Sequence, residues 1–275
     1  MVQTISSRKN PVIREAERLS RLGEAREAQQ LFVAEGARLC EDAANSGIEI
    51  QRLFFTSTAL EKYQKYLAPL QDRAAESYCI KEHVAELLSQ TKHTQGVFCQ
   101  CRMPQRAKQR FDQYLVLEDL QDPANLGAVL RTAEALGGLG VVLLGHRQDP
   151  YAPKVLRSAM GAVFRLSIER YREQESFFRW LSKSGLRSYG AVAGGAAKKL
   201  GKLSLPRRCA VLVGNEGNGL RPETIARCDE LLTIPMKGRG ESLNAAAAAA
   251  ILMWEMLRSP DRASGGIVDE SGSLF

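Results

Sequence analysis

Five polar side chains stand where apolar runs give way to turns or helix starts: Asn125 and Arg131, then Glu216, then Ser242 and Asn244. An arginine in such company suits charge stabilisation, because a guanidinium stays protonated in proteins. A carboxylate such as Glu216 can hold a cation of this kind. Serine or asparagine at a helix start accepts hydrogen bonds from backbone amides. The three segments follow strand-like apolar runs at 114–117, 210–213 and 231–235. In an open parallel sheet the loops leaving the strands' carboxyl ends share one crevice, where ligands collect. Three such loops can therefore form one site.

Taken singly, each segment has a plainer use. Arg131 is placed to pair with Glu134 at i,i+3, a common and weak surface contact. Gly214, Gly217 and Gly219 suit a tight turn before Pro222, and they also free the backbone for positive φ and close approach of a ligand. Bare amides in that loop would suit an adenine edge, a ribose or a carboxylate. The spacing is not the dinucleotide fingerprint, and no phosphate loop ending in Gly-Lys-Ser/Thr is present. Ser242 is expected to cap a helix opening on six alanines, Ala245 to Ala250, whose first amides would face the crevice with partial positive charge. Lys237-Gly238-Arg239-Gly240 just before it reads as a basic loop.

The elements that must position these residues follow from composition and periodicity. The chain has 275 residues, roughly two domains at about 100 to 200 residues each. With 44% hydrophobic and 25% charged residues it is an ordinary globular composition, which excludes disordered and collagen-like classes. The formal charge of +7 points to an anionic partner, nucleic acid foremost. Six cysteines without a Cys-x-x-Cys pair, and three histidines, are poor material for a metal site, so no metal is expected. Neither a secretory signal nor an apolar run of about 18 residues is seen, and a reducing cytoplasmic setting without membrane contact is expected.

A first α/β unit is expected over 1–101, with a helix over 10–30, strands at 31–34, 50–56 and 96–101, helices at 37–46, 60–68 and 81–88, and a short apolar segment at 78–80. Residues 102–113 are polar and basic and read as a linker. A second α/β unit at 114–260 follows, with strands at 114–117, 140–144, 164–168, 187–193, 209–213 and 231–234. Helices are expected at 123–136, 152–160, 174–184, 221–227 and 243–257, so the strands should pair in parallel. The last segment, 261–275, reads as a flexible tail.

On these residues the chain resembles the SpoU family of RNA ribose 2′-O-methyltransferases, TrmH-like members of the SPOUT class. Asp122-Pro123-Ala124-Asn125-Leu126-Gly127 through Arg131 is similar to the family's first motif. Val213 through Leu220 is similar to the second, and Ile234-Pro235 with Glu241-Ser242-Leu243-Asn244 to the third. Lys154 through Ala162 resembles the family's substrate-side helix. Ile5-Ser6-Ser7 to Asn10-Pro11, Glu35-Gly36 and Gln95-Gly96 resemble the substrate-binding domain that many members carry. The alanine run departs from the family's usual mixture of valine, serine and alanine.

The resemblance implies an α/β fold in two parts: a C-terminal trefoil-knot methyltransferase domain and a smaller, ribosomal protein L30e-like RNA-binding domain. It implies S-adenosylmethionine as cofactor, held by Leu212, Gly214, Ile234, Met236, Leu243 and Asn244. It implies chemistry at Arg131, supported by Asn125, Glu216, Ser242 and Asn244. Ribosomal RNA is the first expected substrate and transfer RNA the second, and a homodimer is expected. A non-catalytic RNA-binding dimer is the competing reading, opposed by the intact polar set.

Overall fold

The computed structural model describes residues 2–105, 109–238 and 242–258. The tail expected at 261–275, part of the basic linker at 106–108 and part of the basic loop at 239–241 lie outside the described residues. Contacts divide the chain into two compact units that do not follow the order of the sequence. Within the described residues, one holds the chain up to 105 together with 122–134 and 149–166. The other holds 109–121, 135–148 and 167 onward.

The first unit is built on β1 (Gln3–Ile5), α1 (Pro11–Arg21), α2 (Gly23–Gln29), β2 (Leu31–Glu35), α3 (Ala37–Asn45), β3 (Ile50–Phe55), α4 (Ser57–Lys62), α5 (Gln64–Arg73), β4 (Glu76–Ile80), α6 (Glu82–Leu88) and β5 (Val97–Arg102). The sheet order is β1-β4-β3-β5-β2, with β5 antiparallel to both β2 and β3. β1 is polar and exposed except at Ile5, so no alternation betrays it, and pairing with β4 supplies its order. The single helix expected over 10–30 is two. The chain becomes extended at Leu22, and Arg26 turns inward, where its guanidinium donates to the Leu19 carbonyl of α1 and to Asp149. A buried cation must find such partners, and a helix C-terminus offers unsatisfied carbonyls.

The remaining elements are β6 (Gln113–Glu118), α7 (Pro123–Leu136), β7 (Gly140–Leu144), α8 (Pro153–Ala159), β8 (Ile168–Tyr171), α9 (Gln174–Ser184), β9 (Arg187–Ala191), β10 (Lys198–Lys199), β11 (Cys209–Val213), α10 (Pro222–Arg227), β12 (Glu230–Thr233) and α11 (Ala245–Arg258). Their sheet runs β10-β12-β9-β11-β6-β7-β8 and every pairing is parallel, as the alternation of strands and helices predicts. One strand was expected at 164–168 and lies instead at 168–171. Phe164 is drawn into a 3-10 turn and stacks on Phe32, 5.8 Å between ring centres, so its apolar character serves packing and not pairing.

That stack is part of the reason α8 and most of α7 cluster with the first sheet. Tyr151 lies on the other ring contact of Phe32, at 4.9 Å. Arg165 bridges Asp42 of α3 and Glu134 of α7, both at 2.7 Å. Gly127 of α7 lies so close to α8 that a Cβ there would stand 2.4 Å from Ser158, whose hydroxyl donates to the Ala124 carbonyl at 2.9 Å.

All six cysteines are free. Cys99 and Cys101, two apart on β5, share one face of the strand, and Cys101 Sγ donates to the Cys99 carbonyl. Burial pushes the Cys99 thiol well up, and burial beside Asp229 and Glu118 pushes Cys228 up to about 12. Both are therefore protonated and unreactive near neutral pH.

Candidate active site

A cavity of about 450 Å³ opens in the second unit, a volume within the range of small-molecule sites. Its walls are the carboxyl ends of three parallel strands: Ala191 to Ala193 after β9, Gly214 to Leu220 after β11, and Thr233, Ile234 and Met236 after β12. Ser242, Leu243 and the inner side of α11 at Ala245, Ala248 and Leu252 close it. The cavity thus lies at strand carboxyl ends, where a ligand site was expected. The third wall, however, is the end of β9, and not the segment after β6. Nothing polar marks Ala191-Val192-Ala193; a run of small residues at a strand end was the available signal.

The β11 loop is a closed body. Asn215 and Gly219 exchange both backbone hydrogen bonds, at 3.0 and 2.9 Å, and Asn215 Oδ1 accepts from the amides of Gly217 and Asn218. Gly219 adopts φ +66°, where an L side chain is strained. A Cβ at Gly214 would stand 2.1 Å from the Gly219 carbonyl carbon and the Leu220 nitrogen. The loop's own backbone therefore demands this glycine. The expectation of bare amides is corrected in the same way: those of Asn215, Gly217, Asn218 and Gly219 are spent inside the loop. Asn215, passed over in the sequence, holds the loop in place, since its Nδ2 donates to the Asp119 carbonyl at 2.9 Å.

Glu216 is exposed on this loop, and one carboxylate oxygen accepts from the Gln121 amide at 2.9 Å. Leu212, expected to hold cofactor, is fully buried within β11 and packs among Tyr114, Val116, Val142 and Phe177, so it supports the cavity from behind. Gly214, Ile234, Met236 and Leu243 do line the cavity, and so do Glu216 and Ser242.

The cap of α11 is Asn244, not Ser242. The helix begins at Ala245, and Asn244 Oδ1 accepts from the amides of Ala246 and Ala247 at 2.9 and 3.3 Å. Ser242 stands two residues too early and lies exposed on the cavity wall. The amides thought to face a ligand are thus engaged by the cap. Asn244→Ala is expected to lower stability by about 1 kcal/mol, the usual worth of such a cap, visible as a lower melting temperature; an unchanged melting curve would refute the capping role.

Asn125 and Arg131 belong to the other compact unit, on α7. Asp122 caps this helix, accepting from the Ala124 amide at 2.9 Å. That bond, with Lys154 nearby, holds its carboxyl below the usual range. Leu126, Val129, Leu130 and Ala133 are buried, Asn125 is half-buried in the first turn, and Arg131 is exposed. Glu134, the expected neutraliser of Arg131, is bound to Arg165 instead.

Residues 112–254 match the SpoU rRNA Methylase family, and residues 10–99 match the MRM3-like substrate binding domain. The 23S rRNA (guanosine(2553)-2′-O)-methyltransferase RlmP of Bacillus subtilis is 30% identical over 256 residues, covering 93% of this chain and 99% of that protein. Among solved structures, the SpoU methyltransferase AviRb from Streptomyces viridochromogenes with AdoMet superposes with a TM-score of 0.81 at 25% identity, over 94% of this chain and all of the other. An AdoMet-bound rRNA methyltransferase from Sinorhizobium meliloti gives 0.78 at 28% identity, over 94% of this chain and 98% of the other. The parallel sheet, the cavity at its strand ends and these matches along nearly the whole chain agree: the protein belongs to the SpoU rRNA methylase family.

Proposed function

We propose that this protein is an S-adenosylmethionine-dependent methyltransferase that methylates a ribose 2′-hydroxyl in structured RNA, with ribosomal RNA as its substrate. The observation that carries this reading is the cavity formed by the family's second and third motifs at three strand ends. Its chemistry fits the cofactor: Leu220, Ile225, Ile234 and Leu252 offer apolar surface to an adenine, while Thr233, Glu216 and Ser242 offer polar atoms to a ribose and an amino acid end. When bound, the cofactor supplies an electrophilic methyl group on a sulfonium sulfur.

The chain's own task would be to hold the 2′-hydroxyl oxygen toward that methyl group, whose transfer would break the carbon–sulfur bond and leave a neutral thioether, while the hydroxyl proton departs. By the family resemblance Arg131 carries this task, with Asn125, Glu216, Ser242 and Asn244 in support. A guanidinium does not give up its proton at any ordinary pH, so Arg131 acts as a fixed positive charge on the developing alkoxide. The proton passes to an RNA phosphate oxygen.

Substrate selection belongs to the domain at 1–101, joined by the basic stretch 102–113 to a methyltransferase domain at 114–260. An L30e-like character is consistent with the alternating helices and strands of its mixed sheet. A trefoil knot accords with the chain's path: β12 lies beyond β9, yet α11 returns to contact β11 and β6, and Gln113 Nε2 donates to the Met256 carbonyl at 2.7 Å. A homodimer is supported by α11, which leaves Ile251 and Trp254 exposed at 41% and 53%, one turn apart beside exposed Ala247. No described helix is long and apolar enough to cross a membrane. The free thiols accord with a cytoplasmic setting.

Mapping 2′-O-methyl groups in total RNA from cells with and without this chain tests the reading. One ribosomal ribose should lose its methyl group when the chain is absent. Loss confined to transfer RNA would replace the substrate, and no loss in either, with no cofactor binding by calorimetry, would leave a non-catalytic RNA binder.

A further inference from the structure

At the carboxyl end of β6, Glu118 is buried to 1% exposure, yet its carboxylate is surrounded by donors. Oε2 accepts from the Arg221 amide at 2.8 Å, and Oε1 has the Arg221 guanidinium nitrogens Nε and Nη2 at 2.9 and 2.8 Å. Thr224 Oγ1 donates to the same oxygen, and Gln174 Nε2 lies 3.4 Å away. Arg221 is the residue directly after the 214–220 loop. The other end of that loop is held by Asn215 Nδ2 on the carbonyl of Asp119, the neighbour of Glu118. The loop closes on its own amides, so its position as a body is set by these two anchors together with the bond of Glu216 to the Gln121 amide, and all three end on Glu118 or on the residues just after β6. β6 and β11 lie side by side with Val213 opposite Leu117, which brings the strand end to the loop.

We infer that Glu118 is a positioning residue for the cofactor: through Arg221 it fixes the far end of the 214–220 loop, and so the wall at Gly219 and Leu220 against which the cofactor lies. The inference rests on reading the cavity as the cofactor site. An ion pair whose carboxylate is buried is a poor device for stability alone, since an apolar pair of similar volume often does as well or better. What it provides is one geometry. The guanidinium and main-chain amide of Arg221 converge on a single carboxylate, which sets both the direction and the distance at which the chain leaves the loop. With the charge removed, the loop samples other placements, and the apparent cofactor affinity falls by the fraction of time the competent one is occupied.

The test uses the full chain and four variants, with S-adenosylmethionine titrated by calorimetry and steady-state kinetics on RNA. Glu118→Gln should weaken cofactor binding and raise KM for S-adenosylmethionine about tenfold, the scale of one charge-assisted hydrogen bond. At saturating cofactor, kcat and KM for RNA should stay within about twofold of the parent. Glu118→Asp, which keeps the charge, should recover most of the affinity. A variant that lowers kcat while leaving KM for the cofactor unchanged has only lost folded protein, and that result overturns the inference. So does parental affinity in Glu118→Gln. Should Glu118→Gln fail to fold, Arg221→Lys keeps the charge but loses the fork of donors on Glu118; parental affinity there overturns the inference as well. Failure of the cavity reading is separate: it is shown by Gly214→Ala binding cofactor as the parent does, whatever the Glu118 variants do.

Discussion

Gly214→Ala is expected to reduce S-adenosylmethionine affinity by about tenfold to a hundredfold. Overpacking of this kind costs about 1–3 kcal/mol in a well-packed region, and every 1.4 kcal/mol is tenfold in binding. The added Cβ would stand 2.1 Å from Gly219 C and Leu220 N and 2.3 Å from the Gly219 oxygen, all backbone atoms that no rotamer change can move. Relief requires breaking the paired hydrogen bonds between Asn215 and Gly219, which open the loop. The neighbouring glycines give a graded control. Gly219 sits at φ +66° with open space around it, so alanine there should cost about 1–2 kcal/mol of strain alone. Gly217 would bring its Cβ no closer than 3.5 Å to Asn215 Oδ1, an ordinary contact, and Gly217→Ala should bind as the parent does. Calorimetry on the three variants reads the order directly. Equal effects at 214 and 217 would show that the loop's internal packing does not shape the site.

Arg131→Ala should leave cofactor affinity unchanged and lower turnover by about a hundredfold or more, the effect of removing one preorganised charge from a developing oxyanion. The separation is clean because the side chain is exposed, and its presumed partner Glu134 is bound to Arg165. Exposed substitutions of this type change stability by about 0.5 kcal/mol or less, so a melting curve should barely move. Arg131→Lys keeps the charge but not the fork of donors, and should recover only part of the rate. Single-turnover methylation with saturating cofactor distinguishes these outcomes, and near-parental turnover in Arg131→Ala would remove this residue from the chemistry.

Where sequence and structure part, the cause is specific. Helices α7 and α9 and strands β7 and β11 were legible to the residue, because their apolar periodicity and their punctuation by proline and glycine agree. β1 and β10 were not, since strands with Gln-Thr or Lys-Lys on an edge carry no alternation and exist only through pairing with β4 and β12. Phe164 looked like strand and became core, because the aromatic ring found Phe32. Ser242 looked like a cap and lost that role to Asn244, a shift of two residues set by where α11 starts.

By itself the sequence determined the parallel α/β character, the three motif segments, the family, and hence the cofactor and the kind of reaction. These rest on local patterns and on residue types at fixed spacing, which a linear string carries in full. Tertiary structure alone decided that β9 supplies the third wall of the cavity and that the glycine loop spends its own amides. It also decided that α8 and most of α7 cluster with the first unit across sequence boundaries, and that Glu118 and Asn215 anchor the loop. All but the bonds inside the loop are contacts between residues tens of positions apart, made of groups such as a main-chain carbonyl or a run of small side chains that leave no mark on composition. Their free energy exists only once the strands are side by side.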